Sequence, residues 1–397
     1  MDPSSESNWP KIFLIYAIGV LAAMSVSQAV PVVGMIAREF HPTDPSQLGL
    51  IISLPSLVVA IGALAVGWLT DKFGARPVLL VGAAILLAGD IATTLAPSFD
   101  LLLASRIVAG VGYTGVAVAA VAMLTRTTAG NRRTAALSLW SSFVPMSFII
   151  PFLTAAPVMM SGQWRWAFDG HAIVLAALAL LALLFLPEGR MVSSSGARTA
   201  GLSQVLRSPW PYALGISFGA AAFLQSGIVA SLAVFLARRY HVSELSVQPY
   251  NVGAMVANIA GCLAVGRLLH AKIPAVWVGF AGLVLAGLGG VLVFATTIGF
   301  GNAIAASWLF TFGCGLLVGM WTLLPLVSPS PACIGATSGL VTQLTLLGVL
   351  LGSPFAFAAE ASLSAIPMLI FIGGSLVVCL AGLPIWLRWG PPVRGPA

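Results

Sequence analysis

Apolar residues run along this chain in unbroken stretches of roughly 20 to 27 positions, separated by short polar clusters. Within a stretch they do not alternate with polar residues. A run of about 20 apolar residues matches the ~30 Å of a bilayer's hydrocarbon core as a helix. Only helices and closed barrels satisfy every backbone polar group there, and the missing alternation excludes a barrel. Twelve such runs predict twelve helices, at 12–36, 47–69, 77–96, 101–124, 134–160, 166–186, 211–236, 246–269, 275–296, 303–327, 336–358 and 363–387. The expected fold is an all-α membrane protein.

One connection is long. Residues 187–210, PEGRMVSSSGARTAGLSQVLRSPW, are rich in Ser, Gly and Arg and read as a linker without a periodic apolar face. This predicts a six-helix bundle over 1–186, a linker over 187–210 and a second bundle over 211–397. The halves also repeat weakly. Span 2 ends in Gly67-Trp-Leu-Thr-Asp71-Lys72 and span 8 in Gly266-Arg-Leu-Leu-His270-Ala-Lys272. Spans 5 and 11 each carry a late Pro-Phe, Pro151-Phe152 and Pro354-Phe355. Paired six-helix halves suit a transporter that rocks about a midplane site.

Composition agrees with a lipid solvent. Of 397 residues 59% are hydrophobic and only 7% charged, with a mean hydropathy of +1.03. A soluble domain carries about a quarter charged residues. Lys11, the following apolar run and Ser27-x-Ala29 resemble a cleavable leader, but the run continues to Ile36. Signal h-regions are shorter, so a retained first helix is expected. With the N-terminus inside, thirteen basic residues fall in cytoplasmic segments and four (Arg38, Arg165, Arg238, Arg239) outside, with Arg106 inside a span. The positive-inside rule places both termini and the linker in the cytoplasm of a cell whose inner membrane holds the protein. The +7 formal charge is then a topology signal. No basic patch interleaved with aromatics marks a nucleic-acid groove.

Cys262, Cys314, Cys333 and Cys379 show no metal or disulfide-framework spacing, and His41, His171, His241 and His270 are dispersed. No P-loop or nucleophile elbow is present. An enzyme is not expected, nor a metal or other cofactor. The expected partners are a small-molecule solute, the bilayer and protons as coupling ion, with the protein as a monomer.

The stretch GWLTDKFGARP at 67–77 concentrates Asp71, Lys72 and Arg76 between two apolar runs. It resembles the loop between helices 2 and 3 of the major facilitator superfamily, G-x-L-x-D-[RK]-x-G-[RK]-[RK]. Gly67, Leu69, Asp71, Lys72, Gly74 and Arg76 fit the pattern, and Ala75 departs from it. Arg106-Ile-Val-Ala-Gly110-Val-Gly112 is similar to the family's R-x-x-x-G-x-G in helix 4, and Gln-Trp164-Arg165-Trp166-Ala-Phe168 resembles the entry to helix 6. SLWSSFVP and SGLVTQLTLLGVLLGSP resemble the cyanate/nitroimidazole-type branch. The resemblance implies alternating access. It also implies that Asp71 meets the N-terminus of span 11 near Ala336, Thr337 and Ser338, with Arg126 close by. A helix N-terminus favours an anion, so these contacts would shut the cytoplasmic side. Gly67 and Gly74 are expected to permit close backbone approach.

An ionisable group inside a span is a functional candidate by default. Asp90 and Arg106 each lie eight positions from the turn near Ser98, about 12 Å deep at 1.5 Å per residue. They pair only if their helical faces agree, which sequence does not show; protonation of Asp90 would then release Arg106, and the alternatives are a static pair or an Asp90 that snorkels outward. Glu360 and Asp169 sit near span ends, and His171 reads as a structural residue at a helix mouth. The family implies that helices 1, 4, 7 and 10 line the cavity, which nominates Gln28, Tyr113, Gln225 and Trp321. Gln343, Ser141, Ser142 and Asn258 follow, each with the alternative role of packing glue between helices. Span 1 and span 4 lack an acid, and Pro151 lacks the preceding Gly of the antiporter motif. Both departures count against a cationic-drug antiporter. Arg106 makes a small organic anion the expected cargo, with proton-coupled drug or metabolite efflux as the alternative and a non-transporting receptor last.

Overall fold

A computed structural model of the protein describes residues 9–42, 47–187, 200–242, 244–295, 297–360 and 365–388. Half of the expected linker (188–199), with Arg190 and Arg198, lies outside the described residues, as does the side chain of Glu360. The described residues are helical, with no strand among them.

The first part of the chain forms α1 (Trp9–Ser27), α2 (Val33–Phe40), α3 (Leu48–Phe73), α4 (Ala75–Thr94) and α5 (Phe99–Thr127). Next come α6 (Gly130–Trp140), α7 (Phe143–Ser161), α8 (Arg165–Phe185) and α9 (Ala200–Arg207). The later part holds α10 (Pro209–Tyr240), α11 (Glu244–His270), α12 (Ala275–Ala295) and α13 (Phe300–Val318). It closes with α14 (Leu324–Val327), α15 (Ile334–Glu360), α16 (Ile366–Cys379) and α17 (Leu383–Arg388). Among the described residues, eleven helical stretches are long and apolar enough to cross a membrane, and 12 if the bent pair α6–α7 counts as one span. The 43° bend in that pair falls between Trp140 and Phe143, whose rings stack at 4.4 Å.

The linker expectation needs one correction. Residues 200–207 form α9, because Leu202, Val205 and Leu206 recur at helical spacing, and Val205 is fully buried. That short apolar face was too brief to register against the polar residues around it.

Packing divides the chain into two compact units. One comprises Met1–Ala129, Met146–Val205 and Ser330–Thr342, and the other Gly130–Pro145, Leu206–Pro329 and Gln343–Ala397. Each unit is built on the same glycine-mediated contact. In the first, a Cβ on Gly112 of α5 would stand 2.6 Å from the Gly82 carbonyl oxygen of α4. In the second, a Cβ on Gly313 of α13 would stand 2.8 Å from the Gly282 carbonyl oxygen of α12. Without a hydrophobic drive between helices in lipid, such close backbone packing supplies the association. Gly112→Ala should therefore cost about 1–3 kcal/mol through overpacking. Thermal unfolding in detergent measures this, and an unchanged midpoint would show that α4 does not press on α5 there.

Candidate functional site

Two clusters bring together the polar residues of the first unit. The first stands at the α3–α4 turn. Gly67 lies where α3 meets the start of α15, and a Cβ there would be 2.9 Å from the Ala336 Cα. That contact admits only glycine, and it sets Asp71, one turn on, against the first residues of α15. The backbone N–H groups of Gly335 and Ala336 donate to the two Asp71 carboxylate oxygens at 2.7 Å each. Arg126 Nη2, at the end of α5, donates to the same carboxylate at 2.6 Å. A carboxylate on the free N–H groups of a helix start meets both orphan donors and the positive end of the helix dipole.

Gly74 does something else. Its φ is +96° and the nearest atom to an added Cβ is Pro77 Cδ at 3.7 Å. The expected close approach at Gly74 is thus replaced by a backbone requirement, because only glycine adopts that φ without strain. It lets α4 begin directly after α3 ends. Lys72 Nζ lies 4.9 Å from the Trp68 ring centroid, and Arg76 Nη2 donates to the Leu183 carbonyl at 2.6 Å.

The second cluster is buried between α1, α4, α5 and α8. A Cβ on Gly89 would be 2.8 Å from the Ala109 Cα, so α4 and α5 touch one position from Asp90. Asp90 and Arg106 are both fully buried, with Nη1 4.0 Å from Oδ1. Arg106 spends its nitrogens elsewhere as well. Nε donates to the Ile51 carbonyl at 3.3 Å, Nη1 to Thr93 Oγ1 at 3.4 Å, and Nη2 to the Ser25 carbonyl. The Phe168 ring stacks 5.2 Å away.

Asp90 has two closer partners. Gln28 Nε2 donates to Oδ1 at 3.2 Å, and His171 Nδ1 stands 2.7 Å from Oδ2. His171 Nε2 lies 2.8 Å from the Leu21 carbonyl. His171, expected to be a bystander at a helix mouth, is buried and bonded to the embedded acid. Its signal was the α8 face Phe168, His171, Ala172, Leu175, a buried i, i+3, i+4, i+7 set.

Other nominated residues are placed singly. Tyr113 is buried on α5, and Trp321 packs on Phe218 at 5.2 Å. Gln225 and Gln343 are half-buried on α10 and α15. Asn258 Nδ2 donates to the Thr311 carbonyl at 2.9 Å, and Ser141 Oγ to the Ser138 carbonyl at 2.7 Å, which is helix-packing chemistry. A groove of about 710 Å³ in the second unit is lined by residues such as Phe223, Leu347 and Phe371 and is almost wholly apolar.

A third group went unforeseen. Arg165 forks onto Glu39 at 2.6 and 2.8 Å, and Trp164 Nε1 donates to Glu39 at 2.6 Å. The pair is 30% and 40% exposed, and exposed pairs contribute at most about 1 kcal/mol. Glu39→Ala should therefore lower stability by less than about 1 kcal/mol in detergent unfolding. A larger loss would mark this clasp as a strut of the fold.

A family model for the Major Facilitator Superfamily matches residues 14–353. The chain belongs to the major facilitator superfamily. It is a multi-pass membrane protein of that superfamily, and relatives within it are similar over part of their length. The galactose-proton symporter of Escherichia coli is 27% identical over 44% of this chain and 38% of its own length. The D-xylose transporter of Levilactobacillus brevis is 30% identical over 38% of this chain and 33% of its own. The matched stretches thus span well under half of these curated relatives. Among solved structures, the proton:xylose symporter XylE shares the fold with a TM-score of 0.76 at 12% identity, covering 95% of this chain and 96% of its own. The human organic anion transporter MFSD10 does so at 0.72 and 16%, covering 95% and 98%.

Proposed function

We propose that the protein is a proton-coupled secondary transporter, which moves a small polar solute across the inner membrane by alternating access. Both termini lie in the cytoplasm. The observation that carries this is the buried Asp90, held by Arg106 of α5, His171 of α8 and Gln28 just past α1. Ionisable groups at such depth belong to ion pathways and proton relays. The Asp71 contact supports a gate, because a carboxylate resting on a helix start can let go without leaving a strained backbone behind.

The geometry favours an uncharged polar cargo. Three of the five Arg106 N–H donors are already bonded within the protein, and its charge already faces Asp90, with which a bound anion would compete. Relatives described as galactose-, arabinose- and D-xylose transporters agree with a monosaccharide-like solute. An anionic solute is the second reading, supported by the positive charge of Arg106 in the protein interior. Efflux of a drug-like solute would need Asp90 free to meet a cation, and its three partners oppose that.

A ligand screen by thermal stability separates these. D-galactose, L-arabinose and D-xylose would be set against small carboxylates and lipophilic cations, on wild type and Arg106→Lys. A ligand at about 100 times its Kd adds roughly 2.7 kcal/mol. Stabilisation by a sugar supports the uncharged reading. Stabilisation by carboxylates that Arg106→Lys weakens would replace it with the anionic one, and stabilisation by cations alone would overturn both.

A further inference from the structure

We infer that Asp90 and His171 form one proton-binding unit, in which the transferable proton is the one shared between Nδ1 and Oδ2. The inference rests on the transport reading for its use in the cycle, though the proton site itself follows from geometry alone. A carbonyl oxygen only accepts hydrogen bonds, so His171 Nε2, 2.8 Å from the Leu21 carbonyl, carries a proton. The second contact, Nδ1 to Oδ2 at 2.7 Å, joins two atoms that are both acceptors once deprotonated. One proton must lie between them. It belongs either to an imidazolium facing a carboxylate or to a carboxylic acid donating to a neutral ring.

Losing that proton breaks one N–H or O–H bond. The electron pair stays on the nitrogen or oxygen, and the proton passes to water as hydronium. Two lone pairs then face each other, and the tie between α4 and α8 fails. Asp90 keeps Gln28 Nε2 at 3.2 Å and gains the charge of Arg106, whose Nη1 is 4.0 Å away. Drawing Arg106 toward Asp90 loosens its bonds to the Ser25 and Ile51 carbonyls on α1 and α3. One proton thereby changes contacts on five helices of a single unit.

The surroundings fit this use. Gln28 Oε1 and Ser25 Oγ are buried beside the cluster without a protein partner, and a water between them would pass the proton onward. The charged group facing the pair is Arg106 from α5. On α8, Arg165 is committed to Glu39 and to the Thr94 carbonyl, and Asp169 interacts with Arg165. α7 carries no ionisable residue, and α3 reaches the cluster through a backbone carbonyl.

The test is nitrogen NMR of protein labelled only at histidine, whose four rings are assigned with His171→Gln. The inference expects Nε2 of His171 to be protonated, as its contact with the Leu21 carbonyl requires. It expects Nδ1 to share a proton in wild type and to fall into the unprotonated class in Asp90→Asn at the same pH. An Nδ1 signal unaffected by Asp90→Asn, or an unprotonated Nε2, overturns the proton unit whether or not the protein transports anything. In proteoliposomes with D-galactose as probe, His171→Gln is expected to lose proton-driven accumulation and keep equilibrium exchange. Retained accumulation would overturn the coupling role. Wild type that carries no sugar would fail the transport reading alone, with the NMR result standing.

Discussion

Asp90→Ala is expected to destabilise the folded protein by about 3–5 kcal/mol, the usual consequence of removing one partner of a buried ion pair. The carboxylate is the meeting point of Arg106, His171 and Gln28, all buried. Without it, the guanidinium stays fully buried with no counter-charge among its described neighbours, and His171 Nδ1 loses its bond. Asp90→Asn keeps the shape and one carbonyl acceptor for Gln28, so its loss should be smaller. Chemical or thermal unfolding in detergent measures both. Equal and small losses, below about 1 kcal/mol, would mean that the cluster is solvated and that the buried geometry is wrong. Read beside Glu39→Ala, the pair of results also separates burial from charge. Glu39 has better hydrogen bonds than Asp90, and only its exposure predicts the weaker effect.

Asp71→Leu is expected to open the α3–α15 contact. Hydrogen bonds to a charged group contribute a net ~1.5–3 kcal/mol each, less where the bonded groups stay partly solvated. Losing this set should remove roughly 2–3 kcal/mol from the closed arrangement, a population shift of about 30- to 150-fold. Cys333 reports on it. The thiol is buried one residue before α15, within 3.0 Å of Ser330 Oγ. In a protein with Cys262, Cys314 and Cys379 replaced by alanine, a maleimide should label Cys333 faster in Asp71→Leu than in the parent. Gly67→Leu should act the same way, since its side chain occupies the space of Gly335 and Ala336. Turnover should fall in both variants while membrane insertion is kept. Unchanged labelling and transport would overturn the gate role of Asp71 and Gly67 and leave Lys72 and Arg76 as topology signals.

Much of this architecture was legible from the chain alone. Twelve apolar runs and their turns are a direct consequence of lipid as solvent, since each run must close its own backbone bonds over a fixed thickness. The depth match of Asp90 and Arg106 followed from helical rise. The glycine pattern was legible too. Gly67 of α3 packs on the backbone of α15, and Gly266 of α11 packs on the Ser138 side chain of α6, so the repeated glycine marks a close helix contact in each unit.

What the tertiary structure alone decided is which faces meet. Rise along a helix gives depth, but azimuth depends on how neighbouring helices rotate to pack. Asp90 and His171 are 81 residues apart, on helices that are not consecutive, and no local pattern records that both turn inward. The same holds for Arg106. Sequence marked it as an embedded charge, and only packing decided that its nitrogens reach carbonyls on α1 and α3. Gly74 shows the complement, because its role lies in one dihedral angle that composition cannot express. The sequence by itself determined spans, depth and the family. Rotation about each helix axis, set by small-residue contacts spread over many turns, decided which polar groups became a site.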